Sequence, residues 1–215
     1  MKNLNLVQIV ALLFFPFTVI LWYVTIDDIF SVAHLVLMPV IIWYLIPFVG
    51  TNIFKLWKFN TKYKFGNFSI FHGIILGSAI NISGYLMYII SPDYVNIFNT
   101  IVFAGIGASF ITFTNWLYDI YAMKNKYLVV NTNISKGKRA IEIAEDYVPP
   151  YFYSFGFIYC IFVKVFQFHI QNPMKNIYLI ILLFYVLEFI VPNIVYMINS
   201  YVKYKNFGIK KYERK

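Results

Sequence analysis

Long apolar runs separated by short clusters of charge dominate this chain. Six of them, Leu4–Val24, Phe30–Gly50, Ser69–Ser91, Ile97–Tyr121, Tyr151–Ile170 and Asn176–Ser200, reach the roughly 20 residues a helix needs to cross a bilayer core. The pattern predicts an all-α, polytopic integral membrane protein. Its six transmembrane helices are arranged as three hairpins in one transmembrane domain, 1–215. The first run has a bulky centre, LLFFPFTVILWYV. It lacks the small-residue cleavage site of a signal peptide and is read as a retained helix.

The segment between the fourth and fifth runs, 122–150, is expected to be a cytoplasmic loop with a short amphipathic helix. In SKGKRAIEIAEDYVPP, Ala140, Ile143, Ala144 and Tyr147 share one helical face. Pro149 and Pro150 are expected to end that helix. Residues 201–215 form a basic tail. Near the end of each hairpin an asparagine precedes aromatics and lysines: TNIFKLWKFNTKY, TNWLYDIYAMKNKY and PNIVYMINSYVKYK. Shared interface chemistry places such residues at helix ends, so these echoes are read as chance rather than an internal repeat.

Composition removes the soluble alternative: 60% of residues are hydrophobic, 21% aromatic and 13% charged, with mean hydropathy +0.68. Soluble domains carry about 25% charged residues. The formal net charge of +9 is explained by its placement. Basic residues collect after the second and fourth runs, from Lys55 to Lys64 and from Lys124 to Arg139, and in the tail. The opposite loops hold Asp27, Asp28, Asp93 and Lys175. Cytoplasmic loops accumulate Lys and Arg, which puts both termini in the cytoplasm. The expected partner is the lipid bilayer, with anionic headgroups at the basic face and other membrane subunits as further candidates. The aromatics sit with membrane anchors rather than in an RNA-binding motif, so nucleic acid is not expected. The cell (inner) membrane is the expected location, with an organelle membrane as the alternative.

Polar and small residues recur at helical spacing. Gly73, Gly77, Asn81 and Gly84 mark one face of the third run, and Gly105, Ala108, Thr112, Asn115 and Asp119 one face of the fourth. Glycine and alanine there are expected to pack helices closely. The fifth run presents Gly156, Cys160, Lys164 and Gln167, the sixth Tyr185, Glu188, Pro192 and Tyr196. The first two runs have only Gln8, Thr18 and His34, so the third to sixth are expected to surround a polar interior, with the first two packed outside. Intramembrane charges are usually paired or functional. Lys164 has three readings: it snorkels to the surface, pairs with Glu188, or flanks a hydrated cavity with it. The Cα depths of the two differ by roughly 9 Å at the helical rise, but their side chains lean toward each other. Asp119 is expected at the exposed cytoplasmic end of its helix, with His72 at a similar level.

Enzyme templates fit poorly. GIGASF, with Ser109, together with His34, resembles the rhomboid proteases, but the sixth run lacks the histidine that would activate a serine. NWLYDIY is similar to half of the acidic motif of UbiA-type prenyltransferases; Asp119 stands alone there, Met123 replaces the second acid, and magnesium needs several oxygen ligands. No HExxH, Walker loop, dinucleotide glycine pattern or paired-histidine haem arrangement occurs. One cysteine, Cys160, forms neither an intrachain disulfide nor a metal cluster. No metal or cofactor is expected. The leading expectation is a small permease or channel-like protein using Lys164, Glu188, Gln167, Asn115, Asp119, His72 and Asn81. A non-catalytic subunit of a larger membrane complex is the alternative, and a lipid-modifying enzyme using Asp119 and His72 is the third.

Overall fold

The computed structural model describes residues 6–91 and 96–210. Lys2, Leu4, Asp93 and residues 211–215 lie outside it, as does the side chain of Gln8. Among the described residues there are six α-helices: α1 (Leu6–Ile26), α2 (Ile29–Phe48), α3 (His72–Ile90), α4 (Ile97–Lys124), α5 (Ala140–Gln171) and α6 (Ile177–Tyr204). Helices α2 to α6 are long and apolar enough to span a membrane, and α1 adds a shorter apolar stretch, Leu12–Ile26.

Four short strands join them, which hydropathy did not reveal: β1 (Trp57–Phe59), β2 (Lys64–Phe65), β3 (Phe68–Ser69) and β4 (Leu128–Val130). Antiparallel β2 and β3 are joined by Gly66–Asn67, with Gly66 at φ +61°, a backbone state that suits glycine in a two-residue hairpin turn. Strand β1 pairs antiparallel with β4, Trp57 opposite Val130 and Phe59 opposite Leu128. The α2–α3 and α4–α5 connections are thereby tied into one layer. The tail joins them, since Asn133 N–H donates to the Lys210 carbonyl (2.9 Å). The basic segments therefore gather at one end of the bundle, called here the basic end.

Helix α5 is the hub. Phe155, Tyr159, Phe162 and Phe166 on it are fully buried, whereas α4 and α6 present long apolar faces outward. Helix α2 belongs to the core, contrary to its expected outer position: Leu35, Met38, Ile42 and Trp43 are buried, and Trp43 stacks on Phe152 of α5 (centroids 4.8 Å, 12° between planes). An all-apolar stretch carries no stripe by which its buried side can be recognised.

Small residues set the helix spacing. A Cβ on Gly77 would stand 2.9 Å from the Val40 Cα of α2, and one on Gly73 would enter the Tyr44 ring. Gly156 lies against Ala108, and Gly107 against Cys160 and Met87, bringing α4 close to α5. Gly105 has more room, its nearest neighbour the Tyr153 hydroxyl at 3.6 Å. The buried face of α4 runs instead through Ala104, Gly107, Ala108, Ile111 and Asn115.

Helix α5 does not stop at Pro149 and Pro150; it continues through both. A proline lacks the N–H that would bond the carbonyl four residues earlier. For Pro150 that carbonyl is Asp146, and Asn199 Nδ2 of α6 donates to it (3.3 Å). The same arrangement holds the centre of the bundle. Pro39 in α2 leaves the Leu35 carbonyl without its donor, and the Tyr159 hydroxyl shares its proton between that carbonyl and Asn81 Oδ1 (3.1 Å each). Asn81 Nδ2 donates to the neighbouring Val36 carbonyl (3.1 Å). Gly84, one turn along from Asn81, makes room for the Tyr159 ring, which a Cβ there would meet at 2.5 Å. Three helices are thus joined by two side chains at the point where Pro39 interrupts the hydrogen-bond ladder of α2.

Tyr159→Phe and Asn81→Leu are each expected to lower stability by about 1–3 kcal/mol, because each strands buried backbone or amide groups. Asn199→Leu acts in the same direction at the second proline. Thermal unfolding of the detergent-solubilised protein checks this, with the exposed Tyr153→Phe as the unchanged control.

Candidate functional site

Five helices part at the basic end to leave a cavity of about 450 Å³. Leu56, Trp57 and Phe59 of the β1 segment and Leu128 and Val130 of β4 close one side, with Ile209 of the tail beside them. Gly50 helps shape it: its α-carbon accepts the Trp57 ring where a Cβ would overlap it at 2.2 Å. The remaining wall is the seam between α2 and α6. Its residues run from buried Trp43 and Ile46 to exposed Phe189, Ile190 and Ile194, so the cavity opens sideways along the seam. A shallower cleft at Ile42, Leu45, Tyr185 and Val186 shares Phe189 and Ile190 with it.

The polar groups lining the cavity come chiefly from the five helices. Asp119 of α4 is buried, at 4% exposure, and accepts a 2.5 Å hydrogen bond from the Tyr147 hydroxyl of α5. It is not the exposed helix-end acid expected from its sequence position, because α5 begins at Ala140, about three turns before its expected start, and its Tyr147 covers the carboxyl. Asp146 sits at the rim in a charged cluster, paired with Lys138 at 2.5 Å and Lys203 at 3.8 Å and accepting from the Tyr204 hydroxyl. Burial opposes the charge on Lys138, but hydrogen bonds to Asp146 and Tyr204 prevail and raise its pKa. That favours the ammonium and keeps Asp146 compensated.

Three other lining groups have no such compensation. The indole N–H of Trp43 and Nδ1 of His72 are buried and make no hydrogen bond, and the buried Tyr151 hydroxyl has only Asn193 of α6 beside it. They are close together: the Trp43 ring lies 6.3 Å from that of His72 and 6.0 Å from that of Tyr151, centroid to centroid. His72 is wedged against Phe59 (4.5 Å) and is not solvated at an interface. A buried polar group without a partner costs about 1–3 kcal/mol, so the neighbouring Trp43 and His72 are a costly arrangement for a purely structural region.

The other residues singled out in the sequence lie elsewhere. Asn81 joins helices near Pro39, and Asn115 donates to its own helix at the Ile111 carbonyl (2.7 Å). Lys164 Nζ donates to Gln167 Oε1 (2.9 Å) and lies 5.0 Å from the Phe103 ring centre. Ser91 Oγ also donates to Gln167 Oε1, at 3.4 Å. The ion pairs among the described residues involve Asp146 and Glu142; Lys164 and Glu188 form none with each other. Lys164 turns along its own helix to Gln167, whereas Glu188 lies in the neighbourhood of Tyr151, Tyr159 and Cys160. Both Glu188 carboxyl oxygens are buried without a hydrogen-bond partner. No cluster of three potential metal ligands occurs among the described residues.

Sequence reasoning placed Asp119 and His72 at one level but missed Trp43, Tyr147 and Tyr151. Tyr147 had a usable signal, since it shares the apolar face of the 140–147 segment; that face turns into the bundle, with Ala144 fully buried. Trp43 had none, being one aromatic within an apolar run.

Tyr147→Phe is expected to cost about 1–3 kcal/mol by leaving the Asp119 carboxyl unbonded. Adding Asp119→Leu to it recovers part of that loss, a coupling that a double-mutant cycle of unfolding midpoints measures. Comparison with known proteins adds no further guide: no family model, no curated protein and no solved structure matches this chain.

Proposed function

We propose that this protein spans the membrane six times with both termini in the cytoplasm, and that it takes a lipid-like amphiphile from the bilayer into the cavity between α2 and α6. The observation that carries this reading is the sideways opening of a largely apolar cavity through residues whose exposed faces are suited to lipid. Binding pockets are typically apolar enclosures of about 300–1,000 Å³ with a few placed polar groups. The topology rests on the loop charges: the basic segments that gather at the cavity end face the cytoplasm. The amphiphile's tail then lies along Phe189, Ile190 and Ile194, and its head reaches toward His72 and Trp43. This develops the lipid-directed expectation without assigning a reaction.

The reading is tested in nanodiscs with an oleoyl chain bearing a terminal photoreactive diazirine. Labelled peptides are expected from α2 and α6. Ile190→Trp, which fills the entrance, is expected to reduce labelling about tenfold through overpacking. Uniform labelling of all outward-facing helices, unaffected by Ile190→Trp, would refute the proposal.

A second reading, a permease for a small polar solute or ion, is favoured by Glu188. A completely buried carboxyl without a hydrogen-bond partner is costly in a membrane unless it serves a function. With Lys164 and Gln167 farther along the α5 axis, it marks a route along the α5–α6 interface. On this reading, Glu188→Gln abolishes flux of the transported ion in proteoliposomes; undiminished flux removes Glu188 from any such route.

A further inference from the structure

The polar groups that the fold leaves unsatisfied specify the chemistry of the amphiphile's head. Trp43 Nε1 carries a proton and has no lone pair to offer, so only an acceptor can satisfy it. The rings of His72 and Tyr151 lie 6.3 and 6.0 Å from that of Trp43, and each can donate; Trp43 and His72 have unmatched polar atoms, and Tyr151 has only Asn193 beside it. Donor capacity is therefore gathered in one buried wall.

Charge narrows the choice. No lysine or arginine lines the cavity. Apart from tyrosines, the ionisable groups that do are Asp119, Asp146 and His72. An anionic head would find no cation in the lining and would meet the carboxyl of Asp119. A cationic head gains little from them, since Asp146 is already paired with Lys138 and Lys203 and Asp119 is bonded to Tyr147. It would also leave the Trp43 N–H unmatched.

We infer that the cavity is a site for a neutral amphiphile whose head is a carbonyl oxygen, as in an ester or ketone, held by Trp43, His72 and Tyr151. The inference rests on the amphiphile reading above and specifies its ligand class. The acceptor oxygen takes the indole proton, its second lone pair faces the Tyr151 hydroxyl, and His72 presents Nδ1 to the same spot. The hydrocarbon chain leaves along the α2–α6 seam. Specificity in such a site comes from the penalty imposed on a ligand that leaves the donors unpaired.

The test uses four ligands with comparable C18 tails: methyl oleate, oleate, oleyl-trimethylammonium and 1-octadecene. Each competes with the photoreactive oleoyl probe on the full-length protein in nanodiscs. Methyl oleate is expected to compete about tenfold better than 1-octadecene, the value of a matched buried hydrogen bond. Trp43→Phe is expected to erase that difference while leaving 1-octadecene competition unchanged. His72→Phe supplies an independent variant should loss of the indole disturb the stack on Phe152. Stronger competition by oleate or by the ammonium amphiphile overturns the inference, as does an ester advantage that survives both substitutions. If all four compete equally, the head-group assignment falls and the lipid cavity stands; if none competes, the cavity reading falls with it.

Discussion

A proline inside an apolar helix leaves a backbone carbonyl that bilayer hydrocarbon cannot satisfy, and this protein's architecture is organised around that constraint. Lipid offers no hydrogen-bond donor, so the donor must come from a neighbouring helix. Pro39 frees the Leu35 carbonyl, and Tyr159 reaches across from α5 to bond it while Asn81 reaches from α3 to bond Val36. Pro150 frees the Asp146 carbonyl, and Asn199 bonds it from α6. The close approach these bonds require is supplied by Gly84, which admits the Tyr159 ring, and by Gly77, which admits α2. Helix packing and polar satisfaction therefore act together.

This constraint sorts the intramembrane polar residues. Asn81, Tyr159, Asn115 and Asn199 are occupied with backbone carbonyls, and Lys164 is engaged with Gln167 and the face of Phe103. Their presence needs no ligand. Trp43, His72, Tyr151 and Glu188 are not accounted for in this way. The first three share one cavity wall, and that coincidence, rather than the polarity of any one of them, supports a binding role.

The cavity occurs where close packing becomes difficult. Toward the basic end α2 loses its regular turns after Pro47 and widens into a π-type segment, Val49–Ile53, while α4, α5 and α6 continue past the core. Strands β1 and β4 and the returning tail seal that end. They do not reach the α2–α6 seam, which stays open at Phe189, Ile190 and Ile194. The cavity is thus sealed at its end and open at its side.

The sequence alone determined the helical class, the approximate positions of the helices long and apolar enough to cross a membrane, and the concentration of basic charge in alternate loops, because these follow from segment length and composition. It also marked Gly73 and Gly77, whose contacts with α2 reflect a local requirement for small side chains. Tertiary structure decided the rest. Proline at 149–150 read locally as a helix stop, yet a donor 49 residues after Pro150, at Asn199, makes the continuous helix affordable. Depth and lean brought Lys164 and Glu188 within range on paper, but rotation about the helix axes turned them to different neighbours. Asp119 is buried because α5 extends over it, and Trp43 shares a cavity wall with His72 and Tyr151 because those two arrive from two other helices. Such meetings depend on the orientation of one helix about its axis relative to the next, and an almost uniformly apolar sequence does not encode that locally.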